Sequence, residues 1–264
     1  MVHALIAALM ASLLAAAALY PDAARTDAST TTIKNWTVPR LAVMPLGDSI
    51  TYGTGSSTGS GYRGELWKRL TPHTGNLHFV GSQRSGKLSD PAHEGHYGWK
   101  IGGLVDNIDK WLIAAKSNAV LVHIGTNDMH DNYRADQAPG RLGELIDKIT
   151  TAAPNMTVLV SSLVPSTDAG TEKRIEKYNA AVPRVVKKRR GRGFQVGFVD
   201  MGKVTTHDLR DVLHPNDSGY SKMAAAFYDG IARSAEDGWI KERVGIKPVP
   251  SARHPLATAF GPRH

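Results

Sequence analysis

A serine, a side-chain amide and an acid–base pair stand in three short segments of this chain. Gly47-Asp48-Ser49-Ile50-Thr51 places a hydroxyl among small residues, and Gly125-Thr126-Asn127-Asp128 supplies the amide. Asp211 and His214, just ahead of Pro215 and Asn216, supply a carboxylate and an imidazole. Hydrolysis of an acyl bond needs this set: a nucleophile, a base to deprotonate it, an orienter for the base, and donors for the developing oxyanion. Singly, each residue has an ordinary alternative. Ser49 could only cap a helix, Asn127-Asp128 could be a turn pair, His214 could be a loop histidine, and Asp211 could cap something nearby. The set gains meaning if the fold gathers it.

The elements that must do so are readable. Residues 41–46, 77–80, 119–124, 157–163 and 195–199 are apolar almost throughout, as strands covered on both faces should be. Between them run helical patterns. Leu104, Ile108, Trp111, Leu112 and Ala115 share one face, as do Leu142, Leu145, Ile146 and Ile149, and later Tyr220, Met223, Ala224, Phe227, Tyr228 and Ile231. Pro183 interrupts a helix over about 171–188 and is expected to kink it near Asn179. Five strands alternating with helices predict an α/β protein, a three-layer α/β/α sandwich around a five-stranded parallel sheet. In the flavodoxin-like order 2-1-3-4-5, ligands bind where the order reverses, beyond the carboxyl ends of the first and third strands. The serine and amide blocks follow directly on those two strands.

Composition bounds the rest. The chain has 264 residues, 41% hydrophobic and 21% charged, which excludes a disordered, collagenous or multi-span membrane chain. With no cysteine, a disulfide scaffold, a Cys nucleophile and Cys-ligated metal sites are excluded. The net charge of +8 is concentrated in a cluster over residues 184–192 and in the C-terminal stretch. The remainder is close to neutral, so no nucleic-acid partner is expected. Cations ending a helix complement its dipole, and the cluster reads as a solvated face. An Ala/Leu-rich run makes residues 1–25 a signal peptide by pattern, although only His3 and the terminal amine precede the run. A Ser/Thr-rich linker over 26–38, a catalytic domain over 39–238 and a basic Pro/Arg-containing tail over 239–264 complete the division. The expected location is extracellular, as a monomer without integral membrane association once the leader is removed.

Three motifs mislead. Gly55-Ser56-Ser57-Thr58-Gly59 spells a nucleophile elbow but no strand precedes it, so it reads as a flexible rim. The run from Gly81 to Lys87 nearly spells a phosphate loop, but Leu88 stands where a hydroxyl residue is required. His93-Glu94-Gly95-His96 is one residue short of the helical zinc motif and reads as a loop.

The blocks MPLGDSIT, GYRGELW, FVGSQRSG, HEGHYGW, HIGTNDM and DVLHPNDSGY, from about residue 44 to 227, resemble the GDSL/SGNH hydrolase superfamily. Within it they are most similar to carbohydrate esterase family 3, the acetylxylan esterases. The resemblance implies the SGNH variant of the fold, with Ser49 as nucleophile, His214 as general base and Asp211 as its orienter. It also implies an oxyanion hole of the Ser49 and Gly98 N–H groups and the Asn127 amide, with Gly95 the second candidate for the glycine. The Asp-x-x-His spacing lets a carboxylate reach Nδ1 while Nε2 faces Ser49. Tyr97 departs from the family pattern, where a small residue is more usual. No cofactor or metal is implied. The expected substrate is an acetylated polysaccharide such as xylan, or another small-acyl ester. Tyr52, Tyr97, Trp99 and Tyr133 lie beside the motifs and could stack on sugar rings. Rival readings are a lysophospholipase or short-chain lipase, and a catalytically idle carbohydrate- or wall-binding protein.

Overall fold

Strand β1 (Leu41–Gly47) is buried at every position, which explains why its sequence is apolar rather than alternating. It is the hub of the sheet in the computed structural model, which describes residues 36–247. The expected leader, the linker up to residue 35 and the tail from 248 lie outside the described residues. On one side β1 pairs in parallel with β5 (Ala119–His123), followed by β6 (Thr157–Ser161) and β7 (Val196–Val199). On the other side its first half pairs with β2 (Leu77–Phe79) and its last two residues with β4 (Ala92–Gly95). A two-residue strand, β3 (Gln83–Arg84), pairs antiparallel with β4 at the edge. The five expected sheet positions and their 2-1-3-4-5 order therefore stand, with the second position split between two short strands. The segment around His93 and Glu94, expected as a loop, is a strand.

That split accommodates Pro45 within a central strand. Odd-numbered residues of β1 turn their backbone groups toward β2 and β4: Leu41 N–H donates to Asn76 O, Val80 N–H to Val43 O, and His96 N–H to Gly47 O. Pro45 thus directs its missing N–H to the same side. Pairing with β2 ends at Val43 and pairing with β4 begins at Leu46. No ladder bond is lost in the gap.

Alternate side chains of the sheet feed two cores. Met44, Leu46, Val120, Val122, Val158 and Val160 pack with α3 (Ile101–Ala115), α5 (Ala138–Ala152) and α6 (Ala169–Arg190). Leu41, Val43, Ala119, Leu121 and Leu159 pack with α2 (Tyr62–Leu70) and α7 (Asp217–Glu236). The rings of Tyr62 and Phe227 meet at 5.0 Å between those last two helices. Burying one such side chain contributes roughly 1.5–3 kcal/mol. Two short helices, α1 (Ser49–Tyr52) and α4 (Thr126–His130), open directly beyond β1 and β5. Helix α6 runs from Ala169 to Arg190 with Pro183 inside it, so the helix expected over about 171–188 is present.

The packed body extends past both ends of the expected 39–238 domain. Trp36 is buried and stacks on His73 at 4.0 Å. Asn118 donates to Arg40 O and Lys241 O, and Lys247 N–H donates to Ala152 O. The basic cluster is not wholly a solvated face either. Arg189 is buried and forks onto Asp147 from α5, which Arg192 also reaches at 2.9 Å.

Candidate active site

The site begins where β1 ends. Gly47 has no room for a side chain, since a Cβ would overlap the His123 carbonyl and the Thr51 hydroxyl. Asp48 then caps α1, accepting from Ile50 N–H at 3.0 Å. Its carboxyl is fully buried, and desolvation, aided by the charge of Asp128, pushes its pKa up to about 7. This tight turn leaves Ser49 first in α1, with its N–H donating to no acceptor among the described residues.

The Ser49 hydroxyl lies 2.9 Å from His214 Nε2. On the other side of the ring, Nδ1 is 2.9 Å from Asp211 Oδ2. The three-residue spacing closes as a turn: Asp211 Oδ1 accepts from Leu213 N–H at 2.9 Å and His214 N–H at 2.8 Å. Although partial burial alone would raise the Asp211 pKa, these backbone donors and the imidazole hold it below the usual carboxylate range. The turn is anchored from both sides. Arg210 N–H donates to His214 O, and Asn216 caps α7 by accepting from Gly219 N–H. Lys222, Ser218 and Thr205 grip Asp208 and hold its pKa down. The loop containing Gly55, expected to be a flexible rim, is pinned here. A Cβ on Gly55 would press on Pro215 O and His214 Cβ, while Ser57 N–H donates to Asp217.

The amide comes from α4. Asn127 Nδ2 donates to Trp99 O at 2.9 Å, and Nδ2 carries a second hydrogen. Trp99 belongs to the turn that follows β4, which is tied to the end of β1 by the bond from His96 N–H to Gly47 O at 3.0 Å. Gly98 in this turn has φ 75°, a region that favours glycine, and its N–H donates to no acceptor among the described residues. Gly95 differs. Its N–H donates to His93 Nδ1 at 2.9 Å, and a Cβ there would strike Tyr52 N. The structure thus links Ser49, His214 and Asp211 by hydrogen bonds, and places Gly98 beside the carbonyl that orients Asn127.

Sequence reasoning missed what holds this turn. Glu94 is buried, accepts from Ser82 Oγ at 2.9 Å, and lies 2.8 Å from His96 Nε2. The His96 ring stacks on Trp99 at 4.3 Å and on Trp111 at 4.6 Å, and the two indoles also meet each other at 5.9 Å. The two His of the discarded zinc motif therefore do separate work: His96 braces the turn, and His93 accepts from Gly95 N–H. Arg63 was missed as well. It is fully buried and donates to the carbonyls of Thr51, Tyr52, Pro91 and Ser85, tying α1 to the segments around β3 and β4.

A single sheet covered by helices on both faces, with a Ser–His–Asp chain at its carboxyl edge, has the make-up of a serine hydrolase. Residues 46–222 match the model of the GDSL-like lipase/acylhydrolase family, and the chain belongs to that family. Its fold is similar to that of a family 3 carbohydrate esterase from Clostridium thermocellum, with 36% identity and a TM-score of 0.66, covering 74% of this chain and 98% of that one. A carbohydrate esterase family 3 protein from Talaromyces cellulolyticus is 28% identical with a TM-score of 0.66, covering 75% and 99%. A multidomain esterase of Ruminococcus flavefaciens is 27% identical over 259 residues, 86% of this chain and 31% of that protein. The chain likewise spans 56% of a second curated relative, from Acetivibrio thermocellus, with which it shares 31% identity over 132 residues. Family membership and the esterase relatives support a carboxylic ester hydrolase.

Proposed function

We propose that this chain is a serine esterase that removes small acyl groups, acetyl foremost, from a carbohydrate such as acetylated xylan. The observation that carries the reading is the continuous Ser49–His214–Asp211 hydrogen-bonded chain, 2.9 Å at each link. His214 Nε2 takes the Ser49 proton as Oγ attacks the ester carbonyl. The tetrahedral oxyanion is held by the N–H groups of Ser49 and Gly98 and by the second Asn127 hydrogen. His214 then protonates the leaving sugar hydroxyl. Water, deprotonated by the same imidazole, attacks the acyl-enzyme and releases the acid. Asp211 holds the ring tautomer and stabilises the imidazolium that forms. Gly98 is preferred over Gly95 in the oxyanion hole because the Gly95 N–H is already spent on His93.

The carbohydrate assignment draws on the two family 3 carbohydrate esterase structures, whose coverage extends over nearly the whole of those chains. Action outside the cell follows from reading residues 1–25 as a leader. No helix among the described residues is long and apolar enough to cross a membrane. The test is acid release on acetylated xylan and on aryl esters from acetyl to palmitoyl. Acetate from xylan, with turnover falling steeply beyond short acyl chains, is expected. Preference for long chains with xylan untouched would replace the substrate with lipid. Binding of xylan without turnover of any ester would leave a carbohydrate-binding protein.

A further inference from the structure

Five large apolar side chains are exposed among the described residues: Tyr52, Tyr97, Ile113, Tyr133 and Val212. Ile113 lies on α3. The other four sit on the segments that carry the proposed chemistry. Tyr52 ends the helix that Ser49 begins, Tyr97 precedes Gly98, Val212 lies between Asp211 and His214, and Tyr133 follows the helix of Asn127. Scattered exposed apolar residues need no explanation, but their concentration around one site does.

Three of the four are tyrosines, and each is presented differently. Tyr97 is the most exposed, at 67%, and meets no aromatic ring among the described residues. Tyr52 is held edge-on by His93 at 5.4 Å, with 38% of its surface open. Tyr133 is displayed by a backbone that works against its sequence. Asn132 and Arg134 on either side have φ 50° and 45°, and only one other non-glycine residue among those described, Lys116, shares that region. Such a conformation costs roughly 1–2 kcal/mol for a residue like arginine, and strain of this kind gathers at binding sites. Lys100, Arg134 and Arg141 approach the Tyr133 ring at 5.5–5.6 Å and fix it in place.

A flat ring with a hydroxyl at its edge complements one kind of partner well. A pyranose presents an apolar C–H face rimmed by hydroxyls, whereas an extended acyl chain would call for aliphatic walls. We propose that Tyr97, with Tyr52 and Tyr133 on the neighbouring segments that leave the same sheet edge, stacks on sugar rings of the glycan carrying the scissile ester. This rests on the esterase reading above and assigns the residues that would make the substrate a carbohydrate chain rather than a free small ester. Tyr97 takes the principal role because its ring is the most open and borders the oxyanion turn.

The experiment compares kcat and KM of the full chain on acetylated xylooligosaccharides and on 4-nitrophenyl acetate. Tyr97→Ala should raise KM for the oligosaccharide about tenfold, equivalent to the roughly 1.4 kcal/mol of one stacking contact. Its kcat on that substrate should stay within about threefold. The preference for oligosaccharide over aryl ester therefore falls, and Tyr97→Trp restores it. Equal losses on both substrates, or an unmoved oligosaccharide KM, would overturn the stacking role. Affinity of Ser49→Ala protein for unacetylated xylohexaose gives a second readout that needs no turnover. Adding Tyr97→Ala should weaken it about tenfold, and no change would overturn the stacking role. If wild-type protein hydrolyses neither ester, the esterase reading fails, and the binding measurement still decides the stacking role.

Discussion

Asn127 and Trp99 are joined by a single hydrogen bond, from the amide Nδ2 to the backbone carbonyl, at 2.9 Å. The bond fixes which way the amide faces and leaves one hydrogen free for the oxyanion role proposed for Asn127. Asn127→Ala should therefore lower kcat about 10²–10³-fold, as loss of one preorganised oxyanion donor does. Steady-state kinetics on an acetyl ester check this. An effect confined to KM would mean that Asn127 holds substrate and not the transition state.

The same turn depends on His96, packed against two tryptophans and paired with Glu94. Since the turn carries both the Gly98 N–H and the carbonyl that orients Asn127, loosening it misplaces two donors together. We expect His96→Ala to lower kcat at least tenfold with a smaller change in KM. His96→Phe, which keeps the stack but not the bond to Glu94, should recover part of the loss. A variant with lower thermal stability but wild-type kcat would contradict the positioning role.

Much of this arrangement was legible in the sequence, and what was not has a physical reason. The strands flanking the switch point announced themselves by unbroken apolar runs, and the serine and amide blocks followed them. Strand β4 was missed because Ala-His-Glu-Gly buries polar groups. Its stability comes from paired side chains such as Glu94 and His96, which no hydrophobic period reveals. Arg189 looked solvated because Asp147, its partner, lies 42 residues away. Trp36 read as linker because the His73 ring it stacks on is 37 residues away in sequence.

Arg63 offers a stability test. Its guanidinium is caged by carbonyls, with no carboxylate among its partners, and burial pulls its pKa down to about 10. Arg63→Leu leaves these carbonyls without their donor, and should cost about 3–5 kcal/mol by urea unfolding. Arg63→Lys should recover little, because one ammonium cannot reach all the carbonyls of a fork. A leucine variant with wild-type stability would show that the cage contributes nothing.

His93 and His123 make folding acid-sensitive. Burial, the leading cause for both, pushes their pKa values down to about 3 and about 4, from an ordinary 6.5. The unfolded chain takes up these protons near pH 6.5 while the native protein refuses them. Their contribution to stability is full above that pH and is lost as pH falls toward 4 and then 3. Asp48 acts oppositely: its raised pKa favours the fold below about pH 4 and loses that contribution as pH rises through 7. In His123→Leu, the slope of unfolding free energy between pH 4.5 and 6 should fall by one proton, about 1.4 kcal/mol per pH unit. An unaltered slope would mean that His123 protonates in the native state.

The account stands on Ser49 attacking an ester. Acetate release from acetylated xylan by wild-type protein and by Ser49→Ala, measured side by side, tests this most directly. The hydroxyl-free variant should retain its fold and lose about 10⁴-fold or more in kcat. A variant within tenfold of wild type would show that the 2.9 Å contact between Ser49 and His214 is not the catalytic one.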